Sequence, residues 1–289
     1  MNKFGVHALV WAGDLSGPSV QRIVTQSKKA GYDLVEFSLH DLSELDIGAT
    51  RALLEENGIE PACSRGLAFD ADVSSDNLEV VARGVALLEE SLEVAQGLGA
   101  KFLCGGLYSA FGKYHQPVSA LGRRHVVESL KRVADSAAKR DITLGLEIVN
   151  RYESNVVNTT EQALDVLEKV GAPHLKIHLD IYHMNIEEAD FFTPVLACGD
   201  KLGYVHIGEN HRGYLGSGHL DFSSFFHALA HIGYTGPIAF ESFSDAVVSR
   251  GLSVDLSIWR NLWNDGFDLA NHARQFMQNH ADAAVLGRA

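Results

Sequence analysis

Four residues able to hold a divalent metal each close a short apolar run: Glu147 in ITLGLE, Asp180 in LKIHLD, His206 in LGYVH and Glu241 in PIAFE. Successive members stand roughly 30 residues apart, about the length of one strand–loop–helix–loop unit. Three oxygen donors and one imidazole suit Mn²⁺, Mg²⁺ or Co²⁺ better than a structural zinc site, which favours Cys and His. With four protein ligands, an octahedral ion keeps two positions for a bidentate substrate such as a hydroxyl next to a carbonyl. Such an ion polarises the carbonyl and acidifies the neighbouring C–H; a carboxylate then acts as base and an enediolate forms. Glu147 and Glu241 fall on the fifth and eighth strands and approach from opposite sides. One can take a proton from one face of a carbon while the other returns it to the opposite face, which is epimerisation. Any one of these residues alone reads more readily as a helix cap or an ion-pair partner. Four in sequential strand-end positions do not.

The elements that must position them alternate from end to end. FGVHALV (4–10), DLVEFSL (33–39), IEPAC (59–63), KFLCGG, TLGLE, KIHLD, GYVH and PIAFE read as eight strands. Helical patterns follow each. The first opens at Pro18, the second stops at Gly58, and others run over 77–99 and from about Ser119 to Arg140. TEQALDVLEKVG, EEADFFTPVLACG, SSFFHALAHIG and a final segment around 254–280 complete the set. The strands are mostly continuously apolar, as expected when both faces of a parallel sheet are buried. An open doubly wound sheet is disfavoured because no GxGxxG or P-loop precedes the first helix. GGLYSAFG (105–112) is rich in glycine but opens no helix directly, and is a weak phosphate loop. No linker or charge block divides the chain. The expectation is a single (β/α)8 TIM barrel over residues 1–289, with its chemistry at the carboxyl ends of the strands.

Bulk properties narrow the function classes. At 289 residues, with 46% hydrophobic and 21% charged content, the chain fits one large barrel. A formal net charge of −13 argues against a nucleic-acid partner. Cys63, Cys104 and Cys198 are odd in number and widely spaced, so neither a disulfide framework nor a CxxC site is indicated. The N-terminus lacks a signal-peptide pattern, and no apolar run approaches the ~18 residues of a membrane span. A cytoplasmic protein without a membrane partner is expected.

LEIVNRYE (146–153), HLDIYHMNIEE (178–188), YVHIGENHR (204–212) and IAFESF (238–243) add a more specific signal. On these strings, and over nearly the whole chain from MNKFGVHALVW, the sequence resembles the ketose 3-epimerases of the D-tagatose/D-psicose (allulose) group, xylose-isomerase-like TIM barrels. The resemblance implies that Glu147, Asp180, His206 and Glu241 bind Mn²⁺ (with Co²⁺ or Mg²⁺ as substitutes). It makes Glu147 and Glu241 the acid–base pair at C3, and Glu153, His183 and Arg212 binders of the C1–C3 oxygens. It implies free ketoses as substrates: D-fructose/D-psicose, D-tagatose/D-sorbose or L-ribulose/L-xylulose. It implies a cis-enediolate between C2 and C3, and a homodimer or homotetramer. Without it, Glu153 and Arg212 read as exposed loop charges and His183 equally well as a structural histidine.

The pocket wall is sought among His7, Trp11, Ser64, Tyr108, Phe111 and Phe243, which lie at or just after strand ends. Taken singly, the aromatics read as packing. His7 and Ser64 depart from the group's pattern, in which the first position is often an apolar aromatic and the other a cysteine. Within the same fold, the rival activities are a hydroxypyruvate isomerase-like sugar isomerase and an inosose dehydratase. A histidine-rich trizinc endonuclease is opposed by the charge of −13 and by the few histidines at strand ends. A sugar-binding barrel without turnover is the third option.

Overall fold

The structure, a computed structural model, describes residues 2–287. Eight strands pair in parallel, each with the next, and the last closes on the first. They are β1 (Phe4–His7), β2 (Leu34–Ser38), β3 (Glu60–Ser64), β4 (Phe102–Gly105), β5 (Thr143–Glu147), β6 (Leu175–Asp180), β7 (Leu202–Ile207) and β8 (Ile238–Phe240). Around them lie α1 (Gly17–Lys29), α2 (Ile47–Asn57), α3 (Leu78–Leu98), α4 (Ala120–Lys139) and α5 (Thr160–Val170). They are followed by α6 (Ile181–Glu187), α7 (Thr193–Cys198), α8 (Phe222–His231), α9 (Arg250–Asp255) and α10 (Gly266–Leu286). The expected (β/α)8 barrel is therefore present.

Local sequence sets the helix ends. Asp46 Oδ1 accepts from Ala49 N at 2.9 Å to start α2, and Gly58 ends it in the left-handed region at φ 60. Asn77 caps α3 in the same way through Glu79 N. The apolar faces of these helices pack on the outside of the barrel, while the lumen holds a smaller cluster of Leu34, Ala62, Cys104, Tyr204 and Ala239.

Three boundaries depart from the sequence expectation. β1 ends at His7 rather than Val10, because Ala8–Val10 turn into a 3-10 helix whose first donor, Leu9 N, bonds His7 Nδ1 at 3.3 Å. The segment around EEADFFTPVLACG holds no single helix. α6 begins immediately after Asp180, and α7 restarts with Pro194 in its first turn. The last helix begins at Gly266, not near 254: α9 stops before Ser257, which adopts φ 55, and Asp265 recaps the chain.

Strand register positions the chemistry. Between β6 and β7 the pairing shifts at Ile177/His178, so that His178 faces Tyr204 and Asp180 faces His206. Glu147 pairs with His178 on the other side. β5 makes room for that imidazole with Gly145, where an added Cβ would lie 2.7 Å from Cys104 Sγ and 3.3 Å from His178 Cβ.

Candidate active site

Glu147, Asp180, His206 and Glu241 converge at the carboxyl ends of β5–β8, each offering one ligand atom within 4.8 Å of the others. All four are buried. Asp180 caps α6 with Oδ1, which accepts from Tyr182 N at 2.8 Å, leaving Oδ2 turned to the cluster. Glu241 follows β8 directly, and its N–H bonds Ile207 O at 2.9 Å, which fixes the carboxylate beside β7.

His206 is oriented by a residue that sequence reasoning missed. Its Nε2–H donates to Glu36 Oε2 at 2.7 Å, which turns Nδ1 toward the other carboxylates. That Nδ1 has no hydrogen-bond partner and stands 3.5 Å from Glu147 Oε1 and 3.6 Å from Glu241 Oε1. Asp180 Oδ2 likewise makes no aligned hydrogen bond. An imidazole Nδ1 among three carboxylates, with its other nitrogen held by a carboxylate, is a donor set suited to a divalent ion, whose binding would displace the Nδ1 proton. The residues fit a metal.

The electrostatics follow from crowding. Burial raises the Glu147 carboxyl to about 7, aided by the charges of Glu241 and Asp180 and opposed by His206. Burial also disfavours charge on Glu36, but the imidazoles of His206 and His7 outweigh it and hold that carboxyl below its usual range. For His206 burial works against protonation, and the surrounding carboxylates, Glu36 first, reverse it.

Arg212, readable in sequence as a solvated charge, is folded into the site. Its Nη1 lies 2.7 Å from Glu241 Oε2, its Nη2 lies 3.0 Å from Asp180 Oδ2, and its guanidinium stacks 3.8 Å over the Tyr182 ring. The turn that delivers it is left-handed at Arg212 (φ 61) and is tied down at both ends. Arg212 N bonds Glu209 O at 2.9 Å, Ser242 Oγ donates to Arg212 O, and the buried Glu209 carboxylate accepts from Asn210 N and Gly216 N.

His183 projects from α6 with Nδ1 accepting from Asn150 N (3.2 Å) and Asn150 Nδ2 (2.8 Å). Its Nε2–H therefore faces Asp180 Oδ2 at 3.6 Å and Glu147 Oε1 at 3.8 Å. Burial lowers its pKa to about 3, so the ring is neutral. Glu153 meets the same asparagine, accepting from Asn150 Nδ2 at 2.7 Å.

One cavity of about 530 Å³ contains Glu147, Glu153, His183, His206, Arg212 and Glu241 in its wall. His7, Ser64, Phe111 and Phe243 also line it. Tyr108 does not: its ring is fully buried behind the wall, where its hydroxyl donates to Val157 O at 2.9 Å. Trp11 borders a separate cavity with Trp263. Aromatic residues after a strand look alike in sequence whether they face the mouth or brace the loops behind it.

Glu36, His178, Asn150 and Tyr182 were not singled out from sequence. Glu36 carried a usable signal, a charge in the middle of the apolar run DLVEFSL. His178 lies two residues before Asp180 on the same lumen face, its ring centroid 4.2 Å from that of His206.

Residues 24–280 match the family model of the xylose isomerase-like TIM barrels, which is the class that fold and site define. Ketose 3-epimerase of Arthrobacter globiformis is 47% identical over 281 residues, 97% of each chain. L-ribulose 3-epimerase of Methylomonas sp. is 47% identical over 276 residues, 96% of each. The crystal structure of a Methylomonas D-allulose 3-epimerase in complex with D-allulose superposes with a TM-score of 0.95 at 46% identity, covering 96% of this chain and 97% of that one. The chain belongs to the ketose 3-epimerases within the xylose isomerase-like TIM barrels.

Proposed function

We propose that this chain interconverts ketoses epimeric at C3, with Mn²⁺ as the ion and Co²⁺ or Mg²⁺ able to replace it. The observation that carries this reading is that two carboxylates, Glu147 and Glu241, approach His206 Nδ1 at 3.5 and 3.6 Å in one cavity. The relatives named for ketose, L-ribulose and D-allulose 3-epimerisation support it against a hydroxypyruvate isomerase-like or dehydratase activity.

Glu147, Asp180, His206 and Glu241 would hold the ion, which supplies Lewis-acid polarisation of the C2 ketone. One of the two glutamates removes the C3 proton. The C–H electron pair moves into a C2–C3 double bond, and O2 takes the negative charge. The other glutamate then delivers a proton to the opposite face of C3, inverting that centre alone. Arg212 and the neutral His183 Nε2–H donate to the oxygens on C1–C3, and Glu153, held by Asn150, accepts from a hydroxyl there.

The buried, unpaired state of Cys63, Cys104 and Cys198 supports a reducing cytoplasm. Among the described residues no helix is long and apolar enough to cross a membrane. A homodimer or homotetramer would cover the exposed Trp259 and Val254.

The test is incubation of the Mn²⁺-loaded protein with D-fructose, D-tagatose and L-ribulose, with products separated by chromatography. The expected products are the C3 epimers. Aldoses alone would refute the assignment.

A further inference from the structure

Arg65 follows Ser64 at the end of β3 and lines the same cavity as Glu147, His206 and Arg212. It is 9% exposed. Its backbone N–H bonds Cys104 O at 2.9 Å, but its side chain makes no hydrogen bond and no ion pair with any described residue, and Nε is closed off from solvent without a partner. Arg212, on the other half of the mouth, is held by two carboxylates. The same cavity wall includes the apolar Leu87, Leu67 and Phe111. Burial lowers its pKa, and Glu90 on α3 opposes this only through space.

A largely buried guanidinium without an anion is costly, and its Nη groups, which are not closed off as Nε is, are the donors left to meet a ligand. Planar guanidinium donors match the two oxygens of a carboxylate or phosphate. The location also matters. The candidate metal ligands come from β5–β8, whereas Arg65 comes from β3 across the mouth, so a molecule held at the cluster can extend toward it.

We propose that Arg65 forms an oxyanion subsite at the end of the cavity away from Glu147 and Glu241, taking a phosphate or carboxylate group. The oxyanion has two sources: a charged group on the distal carbon of a ketose derivative, or a free inorganic anion seated beside a neutral ketose. Both sources rest on the epimerase reading above in naming a ketose; anion binding at Arg65 does not.

The experiment uses the metal-loaded enzyme, R65M and R65K. Inorganic phosphate is titrated by calorimetry, and kcat/KM is measured for a neutral ketose and for its terminal phosphate ester. Wild type is expected to bind phosphate, with R65M weakening it by about ten-fold or more and R65K by less. A loss in R65M that is about ten-fold greater for the ester than for the neutral sugar assigns the anion to the ligand's tail. Equal losses, with phosphate binding still dependent on Arg65, assign it to a free anion. The subsite is overturned if R65M and R65K bind phosphate as wild type does, or if wild type binds none and the ester suffers no extra loss. R65K keeps the charge should R65M fold poorly. If no ketose is epimerised yet phosphate binding needs Arg65, the epimerase reading fails and the subsite stands.

Discussion

At the carboxyl ends of β5–β8 stand Glu147, Asp180, His206 and Glu241, whereas β1–β4 finish in His7, Ser38, Ser64 and Gly105. The first group gathers ionisable ligand atoms within 4.8 Å and adds Arg212 against two of them. The second is neutral at its inner face. His7 accepts from Leu9 N through Nδ1, and burial lowers its pKa to about 4. Ser64 Oγ lies 3.5 Å from His7 Nε2. Repeating one β–α unit thus yields an ionisable half and a largely neutral one, since strand ends are equivalent in backbone but free in side chain; under the proposed function they are a reactive half and a shaping half. Glu36 and Arg65 are the exceptions, and Arg65 lines the cavity just after β3. Glu36 rises from β2 and crosses the lumen to hold His206.

If that division is right, damage to the reactive half should abolish turnover and damage to the other half should only reshape it. Chelation of the bound ion should remove activity entirely, with recovery on adding Mn²⁺. At an ion concentration of ~100 Kd the stabilisation lost is about 2.7 kcal/mol, and a thermal melt should fall by roughly 4–5 °C. An unchanged melt on chelation would place the ion elsewhere.

Next in size, Glu147→Gln and Glu241→Gln should each lower kcat by about 100-fold or more, read as C3 epimer formed per unit time. Retention of wild-type kcat in either would remove that carboxylate from proton transfer. Arg212→Lys keeps charge but loses the planar fork spanning Asp180 and Glu241, and kcat/KM should drop roughly 10–100-fold. Glu36→Gln should weaken metal affinity roughly 10–100-fold by calorimetry, more than it alters KM for the sugar. The smallest effect belongs to the shaping half: His7→Phe should raise KM for the ketose roughly 2–10-fold with kcat largely kept. A His7→Phe enzyme as dead as Glu241→Gln would erase the distinction between the halves.

Much of the reactive half was legible from the chain. A strand buried on both faces is read from its apolar run, and a residue closing such a run must emerge at the rim. Glu153, His183 and Arg212 stood out only through the strings around them, because a charged loop residue carries no local sign of where its side chain points. Arg212 becomes a site residue when Glu209 and Ser242 tie down a turn with φ 61. Glu36 and His178 were obscured for a different reason. Their side chains lie in the lumen below the rim, and the lumen exists only once β8 pairs with β1.

The sequence by itself determined the alternation of strands and helices, the ligand type at each of four strand ends and their order around the ring. Those follow from local periodicity and from where each apolar run stops. Tertiary structure alone decided that the four ligand atoms meet. Barrel closure and the register shift at Ile177/His178 set Asp180 opposite His206. It also decided that Glu36 would orient His206, that Tyr108 would brace a loop instead of lining the cavity, and that Arg65 would be buried without an anion. Each depends on which faces become neighbours in space, and residue spacing along one chain does not contain that information.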